Sequence, residues 1–258
     1  MTHDPFGEEA PLVDINEFPK WIIYEDADYL VLNKPGWLVC HPSKNGDLSS
    51  LVGASRVYTK LDSLHLVSRL DRETSGIVVL AKHKKAASVA QRALEHGLAK
   101  KEYLAILQGS MNFSATVSQP LIEDKNSLVA IKQMCAMRKT TAKKACTYFT
   151  PQSVANNYTL CKVRIITGRK HQIRVHAQWL GYPVVGDKIY GPDETLYLDF
   201  IEKGFTAEMA KLLPMKRQAL HAFKLDLSAA IKDFSFTAPP TEDFAKFAEK
   251  NSLAIPKS

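Results

Sequence analysis

The chain has 258 residues, 45% of them hydrophobic and 24% charged, an ordinary globular balance with length enough for a sizeable core. No apolar run reaches the roughly 20 residues that span a bilayer, and the acidic, proline-punctuated start MTHDPFGEEAPLVDINEFPK resembles neither a signal nor a transit peptide. Four cysteines (Cys40, Cys135, Cys146, Cys161) without a C-x-x-C pair argue against a zinc ribbon or a disulfide framework and for a reducing, cytoplasmic setting.

In chain order, residues 1–20 read as an acidic, poorly ordered arm and 21–258 as one catalytic domain. Short apolar runs rich in β-branched and aromatic residues predict strands at Trp21–Tyr24, Tyr29–Leu32, Ile77–Ala81, Lys101–Leu107, Ala145–Phe149, Tyr158–Ile166 and Ala219–Leu227. Ala87, Ala90, Ala93 and Leu94 recur at helical spacing ahead of Gly97, which predicts a helix over 84–96. Ile173, Ala177 and Leu180 share one side of a second helix that starts near Arg169–His171 and stops at Gly181. Residues 193–213 and 241–250 also read as helical. Strands outnumber helices without alternating with them, so the fold class expected is α+β: a mixed, largely antiparallel sheet with flanking helices.

The formal net charge of +7 is unevenly spread. Lys132–Lys144 and Lys162–Arg174 each carry five basic residues and no acid, and Lys82–Lys101 carries six against one Glu. The acids gather in the first 20 residues and after Asp193. A basic face for a polyanion is the reading, against scattered solvated lysines as the bland alternative. Several chemistries are excluded. No G-x-G-x-x-G occurs, and GYPVVGDK (181–188) imitates a P-loop but places Asp187 where phosphate would be repelled. His171 and His176 are five apart, not on one helix face, so surface or RNA-facing positions are expected of them rather than metal ligation. No G-x-S-x-G elbow is present, and the adjacency of Cys40 and His41 is weak evidence for a dyad, which needs convergence in space.

Asp71 stands between Arg69 and Arg72 in SRLDRETSG (68–76), with the turn residues Thr74-Ser75-Gly76 and an apolar strand behind it. An ion-paired turn is the commonest use of such residues. It is also what an anionic nucleophile on RNA requires, because the arginines hold phosphates and favour the ionised carboxylate.

That run resembles the H-R-L-D-x-x-T-S-G signature of the RluA-type pseudouridine synthases. LNKPG (32–36), followed by Trp37-Leu38-Val39 and His41-Pro42, resembles the family's first motif, and KEYLAILQG (101–109) its K-x-Y segment. KACTYF (144–149), TGRKHQIRVH (167–176) with GYPVVGDKIYG behind it, and Leu220-His221-Ala222 resemble further family blocks in the family's order. The resemblance covers roughly 21–240. It implies a cofactor-free, metal-free isomerase that turns uridines of structured RNA, tRNA or rRNA or both, into pseudouridine; a monomer is expected, and the short apolar runs speak against membrane association. Asp71 would be the nucleophile, Tyr103 the aromatic residue against the target uracil, and Arg174 the ion-pair partner of Asp71. Arg69 would enter the RNA stack where the uridine has flipped out. Arg72, Lys139, Lys143, Lys144, Arg169, Lys170 and His171 complete the expected RNA contacts. Ser68 departs from the family His. Many relatives carry an N-terminal S4 RNA-binding domain, which is not expected here. A catalytically silent RNA-binding protein of the same fold, and a base-flipping glycosylase acting on DNA, are the readings that compete.

Overall fold

The computed structural model describes residues 4–7, 9, 11–41, 45–137 and 141–256. Strands β1 (Ile22–Glu25) and β2 (Tyr29–Lys34) lead through helix α1 (Leu51–Thr59) and the two-residue β3 (His65–Leu66) to β4 (Ser75–Ala81). Helix α2 (Lys84–Glu95), the long β5 (Lys100–Gln108), β6 (Ala115–Val117) and the small hairpin β7 (Leu121–Glu123) and β8 (Gln133–Cys135) come next. Strands β9 (Thr147–Ala155) and β10 (Tyr158–Ile165) are joined by Asn156-Asn157, both at positive φ, as a two-residue hairpin turn requires. Helices α3 (Gln172–Trp179), α4 (Thr195–Lys203) and α5 (Ala207–Leu212) precede β11 (Leu220–Asp226), β12 (Ser235–Thr237) and α6 (Glu242–Lys250).

The expected sheet is present. Ten strands among the described residues join in the order β1-β2-β4-β11-β5-β10-β9-β6, with β3 beside β4 and β12 beside β11. Among the described residues the pairing of β4 with β11 is parallel and the other ladders are antiparallel. Strand β4 is buried along its whole length, which is why it reads as a continuous apolar run rather than an alternating one. Its Val78 and Leu80, with Leu30 and Leu32 of β2, pack against Leu51, Val52 and Ala54 of α1. Its Ile77, Val79 and Ala81 meet the alanine face of α2 on the other side. A third core joins β5, β10 and β11 to α3 and α6 through Leu104, Ile106, Leu160, Ile173, Leu220 and Phe244.

Three expectations need correction. The first residues are not a loose arm along their described length. Phe6 and Val13 are buried, Phe205 N–H donates to Phe6 O at 2.7 Å, and Val13 N–H to Leu48 O at 2.8 Å. Apolar side chains spaced along the acidic segment give it a surface to bury. The helix expected over 193–213 is two, because the chain turns at Gly204 with φ +67°. The turn at the signature lies at Asp71–Thr74, closed by Thr74 N–H to Asp71 O at 3.1 Å, whereas Ser75 and Gly76 already belong to β4. Gly76 has φ +109°, and a Cβ there would stand 2.3 Å from Ala222 O. The parallel contact with β11 therefore depends on glycine.

Candidate active site

The sheet brings three distant segments together. Asp71 sits in the turn that feeds β4, Arg174 in the first turn of α3, and Tyr103 in the middle of β5, flanked by Val163 of β10 and Ala222 of β11. Arg174 Nη1 donates to Asp71 Oδ2 at 2.9 Å across 103 residues of sequence. The Arg174 guanidinium is buried, while the Asp71 side chain keeps 30% of its surface exposed. Tyr103 and Asp71 line one cavity of about 360 Å³ together with Arg69, Lys101, Arg169 and Leu220.

A second carboxylate explains why a buried arginine is held there. Asp187 accepts from Arg174 Nε at 2.6 Å and Nη2 at 2.8 Å, and its Oδ1 also takes the backbone N–H groups of Ile189 and Tyr190. This fork fixes the guanidinium plane and leaves one edge for Asp71. Burial works to raise the pKa of Asp71, but the charge of Arg174, then His171 and the Arg174 hydrogen bond, outweigh it and hold the carboxyl below its usual range. Burial, and after it the charge of Asp71, pushes the Tyr103 phenol well above its usual value. At neutral pH the site presents a carboxylate and a protonated phenol.

His171 and His176 do not stand on the exposed helix surface expected of them, although His171 lines the cleft beside Asp71. Both are buried. His171 caps α3 at φ +56°, its Nδ1 is 2.8 Å from Tyr190 Oη, and its Nε2 stands 3.9 Å from Asp71 Oδ2. Burial and then Arg174 depress its pKa to about 4, so the ring is a neutral part of the wall. His176 is held between Thr147 Oγ1 and Gln119 O. Arg69, Lys143, Lys144, Arg169 and Lys170 are exposed. Arg169 Nε donates to Lys144 O at 3.0 Å, which joins the two basic runs. Arg72 is anchored, its Nε on Trp37 O at 3.1 Å and its guanidinium over the Phe200 ring. Lys139 lies outside the described residues. Ser68, where the family His was expected, lines the cavity that holds Tyr103.

Sequence reasoning missed the residues that brace the Asp71 turn. Buried Lys34 donates to Pro35 O, Leu38 O and Arg72 O at 2.8–3.0 Å, and burial pushes its pKa down to about 8. Lys188 donates to Glu73 Oε1 at 2.7 Å and Lys216 O at 2.6 Å, with the Phe200 ring 4.2 Å away. The signal for both was present: a lysine inside a buried strand and an Asp-Lys pair in an apolar stretch are rarely buried unless paired.

The sequence model of the family described as RNA pseudouridylate synthase matches residues 28–179. The chain belongs to this family. It is 32% identical over 251 residues to ribosomal large subunit pseudouridine synthase D of Haemophilus influenzae, covering 93% of this chain and 73% of that relative. It is 38% identical over 186 residues, 71% of this chain, to an uncharacterised RNA pseudouridine synthase of Mycoplasma pneumoniae, and the match spans 60% of that relative's length. Human RNA pseudouridylate synthase domain containing 4 shares the fold, with a TM-score of 0.73, 24% identity and coverage of 94% of this chain and 97% of that one. The RluA-type resemblance is thereby sustained, and the chain is an RNA pseudouridine synthase of the isomerase class. No helix among the described residues is long and apolar enough to cross a membrane.

Proposed function

We propose that this enzyme isomerises a uridine of large-subunit ribosomal RNA, with Asp71 as nucleophile on a uridine flipped out of its stack. The observation that carries the reading is the carboxylate of Asp71, partly open to a cleft with basic side chains at its rim and held ionised by a buried arginine at 2.9 Å. Its choice of RNA rests on the relatives named for the large ribosomal subunit. In the reaction the N1–C1′ bond breaks, the uracil turns, C5 joins C1′, the C5 proton leaves to solvent and N1 takes up a proton, so the formula is unchanged. No oxidant or group donor enters. The carboxylate forms the transient bond, to C1′ or to C6 of the base, and Arg174 aims it. Extruding the nucleotide costs a few kcal/mol, and the ring of Tyr103 under the uracil returns roughly 1–3 kcal/mol by stacking.

The test is tritium release from C5-labelled transcripts of large-subunit ribosomal RNA and of tRNA. Release from the ribosomal transcript, lost by more than a thousandfold per folded molecule in Asp71→Asn while RNA binding holds, is the expected result. Turnover of Asp71→Asn within about tenfold of wild type removes Asp71 from the role. Release from tRNA alone reassigns the substrate.

A further inference from the structure

The nucleophile stands between two cavities, and the proposed reaction uses one of them. The smaller, about 360 Å³, holds Tyr103; the larger, about 720 Å³, lies on the side of α4 and is lined by Tyr197, Phe200 and Ile201. Asp71, Arg69, Arg169, His171 and Arg174 line both, so the pair forms one cleft with Asp71 at its seam. Ligand sites typically measure about 300–1,000 Å³, so the smaller cavity is of single-base size and the larger has room for more.

The larger cavity has the make-up of a nucleotide site. Tyr197 is half-buried, its ring packed on the cluster around Val175 and Ile189, and its hydroxyl has no hydrogen-bond partner among the described residues. Ile201 beside it is 60% exposed. Across the opening, Arg69 and Lys170 make no ion pair among the described residues. Among the described residues the Arg72 side chain donates a hydrogen bond through Nε alone and lies over the Phe200 ring, which leaves its terminal nitrogens available. Aromatic and apolar surface next to uncommitted cations is the combination that stacks a base and holds its phosphate. The α4 wall also lies beyond residues 28–179, the span matched by the family.

Resting on the proposed function, we propose that the larger cavity is a second nucleotide subsite, which takes an unpaired base neighbouring the target uridine. That base lies against Tyr197 and Ile201, and its phosphate meets Arg72 and Lys170. The substrate is then a loop that yields two nucleotides, one to each side of Asp71, and α4 selects such loops over a uridine extruded alone.

The probe is the large-subunit ribosomal RNA hairpin that binds Asp71→Asn most tightly by fluorescence anisotropy, whether or not wild type converts it. Each nucleotide within two positions of its central uridine is replaced in turn by an abasic ribose, and Kd is measured for proteins carrying Tyr197, Tyr197→Phe or Tyr197→Leu. One abasic position should weaken binding about tenfold with Tyr197 or Phe. Tyr197→Leu, which keeps bulk in the core, should weaken the intact hairpin by a similar factor and respond little to that abasic site. Multiplying effects, or no sensitive neighbour, overturn the subsite. Tritium release from the same hairpin is read separately, so binding coupling without conversion sinks the proposed function alone. Failure of every hairpin to bind overturns both.

Discussion

Arg174 serves two carboxylates with one guanidinium, and the division is unequal. Asp187 takes two of its nitrogens and is wholly buried, whereas Asp71 takes one and faces the cleft. Removing one partner from such a buried group costs about 3–5 kcal/mol because the other charge is left without compensation. Asp187→Asn keeps the shape and loses the charge. It should lower stability to chemical denaturation by about that amount. It should also lower kcat more than it raises KM for RNA, since Arg174 loses its fixed plane while the basic rim is untouched. Asp187 itself pushes the pKa of Asp71 upward, so the acid limb of activity should move down in this variant, not up. An unchanged kcat per folded molecule would make Asp187 a fold anchor only. Tyr103 calls for a different pair. Tyr103→Phe keeps the stacking face and should stay active if the ring alone is used. Tyr103→Leu, a near-volume swap costing about 1–2 kcal/mol of stability, should lose turnover beyond its loss of folded fraction. Melting curves beside single-turnover rates read both.

At the scale of elements, Lys143 and Lys144 ahead of β9 and Arg169 and Lys170 ahead of α3 carry exposed charge, and Arg169 bonded to Lys144 O fastens one segment to the other. Neutralising Lys143 and Lys144 together should weaken RNA binding and flatten its salt dependence, each lost phosphate contact removing somewhat under one unit from the slope of log K against log salt. An unchanged slope means a solvated loop. How far these elements could be read in advance depended on whether local pattern or distant contact determined them. β4, β5, β10 and β11 were legible because buried strands announce themselves as apolar runs, and α2 because its alanines fall at helical spacing. Helix α1 was not. It opens Leu51-Val52-Gly53, with a β-branched residue and a glycine that weaken helix propensity. Yet Gly53 is required, since a Cβ there would stand 2.0 Å from Asp47 O. Asp71 and Arg174 were picked out by motif. Asp187 was dismissed as a flaw in a phosphate loop, because only the folded chain shows the guanidinium it faces.

Across the whole molecule, the fold buries neutral histidines, His171 beside Asp71 and His221 at the junction of β4 and β11. His221 of β11 lies against Ser75 of β4, with Nδ1 2.9 Å from Ser75 Oγ and Nε2 3.1 Å from Ala238 O. The neutral ring, donating through Nε2 and accepting at Nδ1, satisfies both partners. Burial depresses its pKa to about 4, as burial and Arg174 do for His171. In the unfolded chain both titrate near 6.5. Between about pH 6.5 and 4 the unfolded state therefore binds up to two more protons than the folded state, and stability falls as pH falls through that window. Each histidine adds up to about 1.4 kcal/mol per pH unit to the slope, and neither adds any above it. Asp71 and Asp187, whose pKa values are held below the ordinary range, extend the loss further into acid. Urea melts from pH 8 to 4 should give stability flat in these two histidines down to about 6.5 and falling below it. His221→Gln, which keeps a donor and an acceptor but does not titrate, should be less stable at pH 8 and show a slope shallower by about one proton. A slope unaltered by that change would mean His221 is protonated in the folded protein, and the parallel junction of β4 and β11 would then hold a charge.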